Sequence, residues 1–286
     1  MKLTRSKLIE TLRRKNDGWT TYQVRKIAGI SIRRVNQVWS EYQKTGQIPE
    51  IGKKVGRPGR QILPKEEKIV KVSYLKYRVS ASTLEKIIQK DYLIHIPHNH
   101  IHKIMVKLGY AKQLKVKHIR KKNWIRYERR HSLTAVHVDW YLDPVKRKWV
   151  FAVLDDASRY LLALLEVDCA TTNNSIKGMK KALKYGKIQQ CISDHGTQFI
   201  KQKGMKSTFK DYLKTESIKQ ILCRIKHPQS NGKVEKWFDL YKNHRHAFKS
   251  DKNIKWYNEI RPHRGLKFDE LETPHQAFIR KMKTEV

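Results

Sequence analysis

AVHVDWYLDP at 135–144, KWVFAVLDD at 148–156 and RYLLALLEV at 159–167 are three apolar, extended-looking runs, parted only by short turn-forming sequence. Runs of this length and composition predict strands, and their close spacing predicts an antiparallel meander. Asp155 and Asp156 suit the turn between the second and third strands, and Asp143 before Pro144 suits another turn, so these acids read as structural. Asp139 is different, because it stands inside the first strand rather than at a turn.

Beyond the meander, a helix is expected from about Asn174 to Tyr185, then a short strand QQCISD (189–194) that ends on Asp194. IKQILCRI (218–225) predicts a fifth strand, and HPQSNG (227–232) leads into a long helix. The order β-β-β-α-β-α-β-α describes an α/β domain built on a mixed five-stranded sheet with flanking helices. If the strands of Asp139 and Asp194 are neighbours, both carboxylates reach one sheet edge, where open α/β sheets keep their ligand sites. In the last helix Val234, Trp237, Phe238, Tyr241 and Phe248 form an apolar stripe, with Glu235, Asp239 and Lys242 beside it at i, i+4 and i+7. Glu235 therefore stands at the rim, able to lean over the same edge.

Carboxylates brought to one point repel unless a cation sits between them, and hard oxygen ligands suit Mg²⁺ or Mn²⁺. Two such ions stabilise the attacking and leaving oxygens of an in-line displacement at phosphorus. The rest of the chain is what a DNA substrate needs: 286 residues carry 63 Lys plus Arg against 26 Asp plus Glu, a formal charge of +37. Charge on this scale repels itself and calls for a polyanion. Lys233, Lys236 and Lys242 are expected at phosphates, with Asn231 and Gly232 shaping the start of the helix.

AVHVDW, AVLDDASRY, ISDHGTQF, HPQSNGKVEKW and WYNEIRPHRGL, in that order, resemble the catalytic core of insertion-sequence transposases and retroviral integrases, the DDE recombinases of RNase H-like fold. The resemblance covers about Leu133 to Phe278. It implies that Asp139, Asp194 and Glu235 are the catalytic, metal-holding triad, with two Mg²⁺ or Mn²⁺ ions per site. It also implies that water nicks the element end and that the freed 3′-hydroxyl attacks target DNA, with no covalent enzyme intermediate. His195 stands where an asparagine is usual, and the long interval between Asp194 and Glu235 reads as a loop insertion around KQKGMKST.

Upstream, apolar residues recur at three-to-four spacing from Lys7 to Lys44, broken by a glycine turn at Gly29 and the candidate cap Ser31. TTYQVRKIAGISIRRVNQVWSEYQ (20–43) reads as a helix-turn-helix offering Arg33, Arg34, Asn36 and Gln37 to a groove. The bland alternative is a three-helix bundle with basic solvated faces. Residues 49–64 form a Gly/Pro linker whose Gly56-Arg57-Pro58 resembles an AT-hook core, placing Arg57 in a minor groove. Residues 65–111 repeat the helical pattern, with Pro97 suited to a first helical turn. His95, His98, His100 and His102 read there as polar positions of a recognition helix, since a zinc module would also want thiolates. KQLKVKHIRKKNWIRYERR (112–130) carries nine basic residues, among them Lys121, Lys122 and Arg126, interleaved with aromatics as in backbone-tracking segments.

The expected layout is therefore helix-turn-helix (1–48), linker (49–64), second helix-turn-helix-like domain (65–111), basic linker (112–132), catalytic core (133–250) and C-terminal helical extension (251–286). Cys169, Cys191 and Cys223 have no CxxC spacing and no evident disulfide partner. No apolar run reaches membrane-spanning length and MKLTRSKLIE lacks an apolar h-region, so a cytoplasmic, nucleoid-associated protein is expected, with double-stranded DNA as partner and a homo-oligomer when assembled on it. Two rival functions share these features: a catalytically silent, domesticated DNA-binding protein derived from a transposase, and a nuclease of RNase H type.

Overall fold

The computed structural model describes residues 3–52, 60–112, 128–200, 208–223, 231–245 and 250–282. Arg57, Lys121, Lys122, Arg126 and Phe248, with most of the HPQSNG loop and of the KQKGMKST segment, lie outside them. The chain divides into two compact units, Met1–Gln61 and Ile62–Val286.

The first unit is three helices, α1 (Arg5–Asn16), α2 (Thr21–Ala28) and α3 (Ile32–Thr45). Each begins at a hydroxyl cap: Thr4 accepts from the Lys7 amide, Thr20 forms a reciprocal capping box with Gln23, and Ser31 accepts from the Arg34 amide. Gly29 closes α2 at φ +64°, a left-handed conformation that glycine adopts without a Cβ penalty, and this turns the chain into α3 within three residues. Leu8, Leu12, Val24, Val35 and Val38 are buried, so the periodic stripe is the core.

The second unit opens with α4 (Pro64–Tyr77), α5 (Ala81–Tyr92) and α6 (His98–Lys107), closed around Val70, Leu84, Ile87, Ile88, Ile101 and Ile104. Pro97 is the cap of α6 rather than a member of its first turn. His100 meets Glu66 in the interior at 2.9 Å, while His95 and His98 each bond one oxygen of Glu85.

The sheet follows: β1 (Ala135–Asp143), β2 (Lys148–Asp155), β3 (Leu161–Val167), then α7 (Thr172–Ala182), β4 (Gln190–Ser193), α8 (Thr208–Thr215), β5 (Lys219–Leu222) and α9 (Gly232–His244), with α10 (Ser250–Lys255) and α11 (Pro274–Arg280) last. Strand order is β3-β2-β1-β4-β5. β1, β2 and β3 pair antiparallel, and β1-β4 and β4-β5 pair parallel. The expected mixed five-stranded sheet and its element order are both present.

Alternation along β1 and β2 divides two cores. Val136, Val138, Trp140 and Phe151 pack with Met179 and Ala182 of α7 and with Phe209 and Leu213 of α8. On the opposite face Val150, Ala152 and Leu154 pack against Val234, Trp237, Phe238 and Tyr241 of α9. Residues 251–282, expected as an extension, return to both layers, supplying Trp256 and Tyr257 to the second core and Phe278 to the first. Asp155 is the turn acid expected: its carboxylate is buried and accepts from the Leu133 and Ser158 amides at 2.8 Å each. Among the described residues no helix is long and apolar enough to cross a membrane.

Candidate active site

Asp139 pairs with Ala152 across β1 and β2, which puts it on the α9 face of the sheet. Asp194 is the first residue after β4, the strand parallel to β1. Glu235 lies in the first turn of α9 and is exposed, with its buried neighbours Val234 and Trp237 turned onto the sheet. Asp139 and Glu235 line one cleft of about 360 Å³ together with Tyr141, Phe238, Lys236, Asp239 and Lys242.

The electrostatics bring in Asp194. Burial, then the charge of Asp194, then that of Glu235 push the Asp139 carboxyl up to about 7, although the Trp140 amide, 2.8 Å from Oδ1, opposes the rise. The Cys223 thiol, just past β5, is pushed up to about 11 by burial and by the same three carboxylates. Asp139, Asp194 and Glu235 thus share one field at the carboxyl edge of β4 and β5. Asp194 Oδ1 also accepts from the Gly196 amide at 2.9 Å, and the His195 ring bonds the Cys223 carbonyl at 2.7 Å, tying the loop after β4 to the end of β5. In this arrangement no three His, Cys, Asp or Glu side chains among the described residues are gathered closely enough to hold a metal ion.

Lys233 does not face outward to phosphates: its ammonium donates to Asp156 Oδ1 at 2.5 Å, its side chain is largely buried, and burial pushes it down to about 8. An α-helix on a sheet must turn some first-turn residues inward, and the position after Gly232 is one of them. Lys236 and Lys242 do border the cleft; Lys236 lies 3.1 Å and Lys242 3.6 Å from Asp239, and Lys242 also covers the Tyr141 ring. Asp143 accepts from the Val145 amide at 3.0 Å and faces Arg245 at 3.5 Å. In the first unit Arg33, Asn36 and Gln37 are exposed on α3, and Arg34 donates to Gln37 at 2.8 Å.

Sequence reading missed His137 and gave Asp156 only a turn. His137 is fully buried and bonds Asn231 at 3.1 Å and Asp156 at 2.8 Å. The available signal was a histidine two residues before Asp139, on the same face of the strand.

The Asp139 shift has a measurable consequence. Its folded value lies above the ordinary carboxylate range, so the folded state holds this proton more tightly and loses stability as pH rises towards about 7. Asp139→Asn should therefore stabilise the metal-free protein at pH 8 by about 1–2 kcal/mol, discounted for partial exposure, a gain of a few degrees in Tm. The gain should vanish near pH 4; thermal denaturation at both pH values tests this, and a lower Tm at pH 8 contradicts it.

No family model matches the chain. An uncharacterised protein of Archaeoglobus fulgidus is 31% identical over 98 residues, 34% of this chain and 78% of the archaeal protein. The chain belongs to that protein's family. Its sheet order β3-β2-β1-β4-β5 is the mixed five-stranded arrangement expected from the sequence. The chain is also similar to the "Putative integrase ORF3" of Spiroplasma virus SpV1-C74, 28% identical over 109 residues, 34% of this chain and 30% of the viral protein's length. Among solved structures, the HTLV-2 integrase catalytic core domain in complex with magnesium overlaps 52% of this chain and 97% of its own at 17% identity and a TM-score of 0.41. The simian T-cell lymphotropic virus intasome with the PP2A subunit B56 gamma overlaps 73% and 74% at 14% identity and a TM-score of 0.45.

Proposed function

We propose that the chain is the transposase of an insertion sequence, cutting the ends of its element and joining them to target DNA with Mg²⁺ or Mn²⁺. The observation that carries this reading is the shared cleft of Asp139 and Glu235, with Asp194 just after the strand parallel to that of Asp139, in a chain with charge +37. Their donor set is hard oxygen with surplus negative charge, which fits two divalent ions held by these three side chains. Bound ions supply charge stabilisation to the attacking and leaving oxygens of an in-line displacement.

The chain's own groups do the rest. The Trp140 and Gly196 amides orient Asp139 and Asp194, and Lys236 and Lys242 border the cleft where a phosphodiester would lie. Two displacements complete the reaction. Water first breaks the P–O bond at the element end and frees a 3′-hydroxyl; that hydroxyl then attacks a target phosphodiester, forming one P–O bond as another breaks. Bond exchange of this kind needs no external energy source. Pairing two ends requires at least two copies of the chain assembled on DNA.

The three-helix first unit is read as a helix-turn-helix, with α3 in the major groove. Arg33→Ala should weaken binding to element ends and lower the slope of log affinity against log salt by about one. Titration at several salt concentrations checks it; an unchanged slope removes Arg33 from the interface.

The reaction itself is tested with the full chain and duplexes carrying the inverted repeats that flank its gene. Magnesium should yield nicked ends and joined products, and chelator should yield neither. If the chain binds these duplexes and leaves them intact with Mg²⁺ and Mn²⁺, the domesticated DNA-binding reading replaces this one.

A further inference from the structure

Asp139 and Glu235 belong to different elements, and what holds α9 in register against β1 decides whether their carboxylates meet. The apolar contacts of Val234, Trp237, Phe238 and Tyr241 hold α9 on the sheet but are non-directional, so they tolerate sliding and rotation. Hydrogen bonds are directional, and at the first turn of α9 they converge. Asn231 bonds the His137 ring at 3.1 Å and reaches the Val138 carbonyl at 3.5 Å, bracketing the residue before Asp139. His137 also meets Asp156 Oδ1 at 2.8 Å; Lys233 donates to the same oxygen at 2.5 Å and to the Asp156 carbonyl at 3.3 Å. The other oxygen, Oδ2, accepts from the Arg129 amide at 2.6 Å, which ties the end of the basic segment to the same carboxylate.

His137 is 0% exposed, Asp156 1% and Asn231 5%. Burying this many polar groups has a large desolvation cost, and a buried ion pair adds little net stability over an apolar filling of the same shape. What it provides is a fixed geometry.

We propose that Asp156 is a positioning residue, the hub of a buried clamp with His137, Lys233 and Asn231 that locks the first turn of α9 to β1 and sets the separation of Glu235 from Asp139. Its catalytic meaning rests on the proposed joint action of those two acids; its mechanical meaning does not. Asn231 also hydrogen-bonds the Asp139 carboxyl, so the clamp orients both acids, Glu235 through α9 and Asp139 directly.

The test uses the full chain with Asp156→Asn/Lys233→Met, which leaves no buried charge unpaired, and with His137→Gln, which keeps the Asp156–Lys233 pair, as a milder second variant should the double fail to fold. Hydrogen exchange across residues 231–238 needs neither metal nor DNA, and these amides should exchange at least about tenfold faster while the centre of β1 stays protected. Mn²⁺ affinity, read from the free-ion electron paramagnetic resonance signal, should fall about 10–100-fold, as for other groups that orient metal-holding side chains. End-cleavage kcat should fall by a similar factor with KM for DNA unchanged. A folded variant whose α9 amides and Mn²⁺ affinity match the wild type overturns the clamp. Loosened α9 amides in a protein whose wild type neither binds Mn²⁺ nor cuts DNA uphold the clamp and overturn the proposed chemistry instead.

Discussion

Asp139→Asn, Asp194→Asn and Glu235→Gln are each expected to lower metal-dependent end cleavage and joining by at least about 10³-fold, some 4 kcal/mol of transition-state stabilisation, while leaving DNA affinity within a few-fold of wild type. Each substitution keeps side-chain shape and removes one negative charge. At Asp139 the amide oxygen can still accept from Trp140, and at Asp194 it can still accept from Gly196, so the backbone around both sites has no reason to move. What is lost is one anionic oxygen donor of three, and hard divalent cations depend on that charge. Groups that act as a unit are not additive, so any double variant should be about as inactive as a single one. Product analysis on labelled element ends decides: a single variant with full strand transfer removes that acid from the site. The Asp139→Asn protein should also be more stable than wild type without metal, and this separates lost chemistry from lost fold.

Gly178→Leu should have the largest effect on stability. Gly178 lies in α7 where the helix crosses the sheet, and a Cβ there would stand 2.3 Å from two ring atoms of Phe151 and 3.3 Å from Leu165. Phe151 is fully buried, its ring 4.9 Å from that of Trp140 and 6.3 Å from that of Phe199, so any retreat of the ring displaces close-packed neighbours. Overpacking commonly costs about 1–3 kcal/mol, and a branched side chain at a contact this close should exceed that, at about 4 kcal/mol or more. For a unit of this size the loss corresponds to roughly 10 °C or more in Tm. The site would feel it too, because Phe151 pairs with Trp140, the neighbour of Asp139 on β1. Differential scanning calorimetry checks the expectation; a Tm within about 2 °C of wild type would mean that α7 can shift outward freely.

Much of this architecture is written in local pattern. The meander of β1 to β3 was legible because short apolar runs parted only by tight turns have few other low-energy arrangements. The helix carrying Glu235 was legible because its apolar stripe fixes which residues face the sheet, and the buried Val234, Trp237, Phe238 and Tyr241 are that stripe. Ser31 and Gly29 act as the cap and turn that their chemistry suggests. Lys233 was misread because charge composition argues for a solvated cation, whereas its position relative to the sheet, set by the whole of α9, points it at Asp156. The Asp156 carboxylate had an adequate local explanation as a turn former, which hid its bonds to residues 19 and 77 positions away.

By itself, then, the sequence determined the strands and helices of the sheet domain and the excess of positive charge, since each is a property of residue type and short-range spacing. Only the tertiary structure decided that Asp194 and Glu235 act electrostatically on Asp139, and that His137, Asn231, Lys233 and Asp156 join α9 to β1. Fields and hydrogen bonds fall off within a few ångströms, and which groups come that close depends on how distant segments pack.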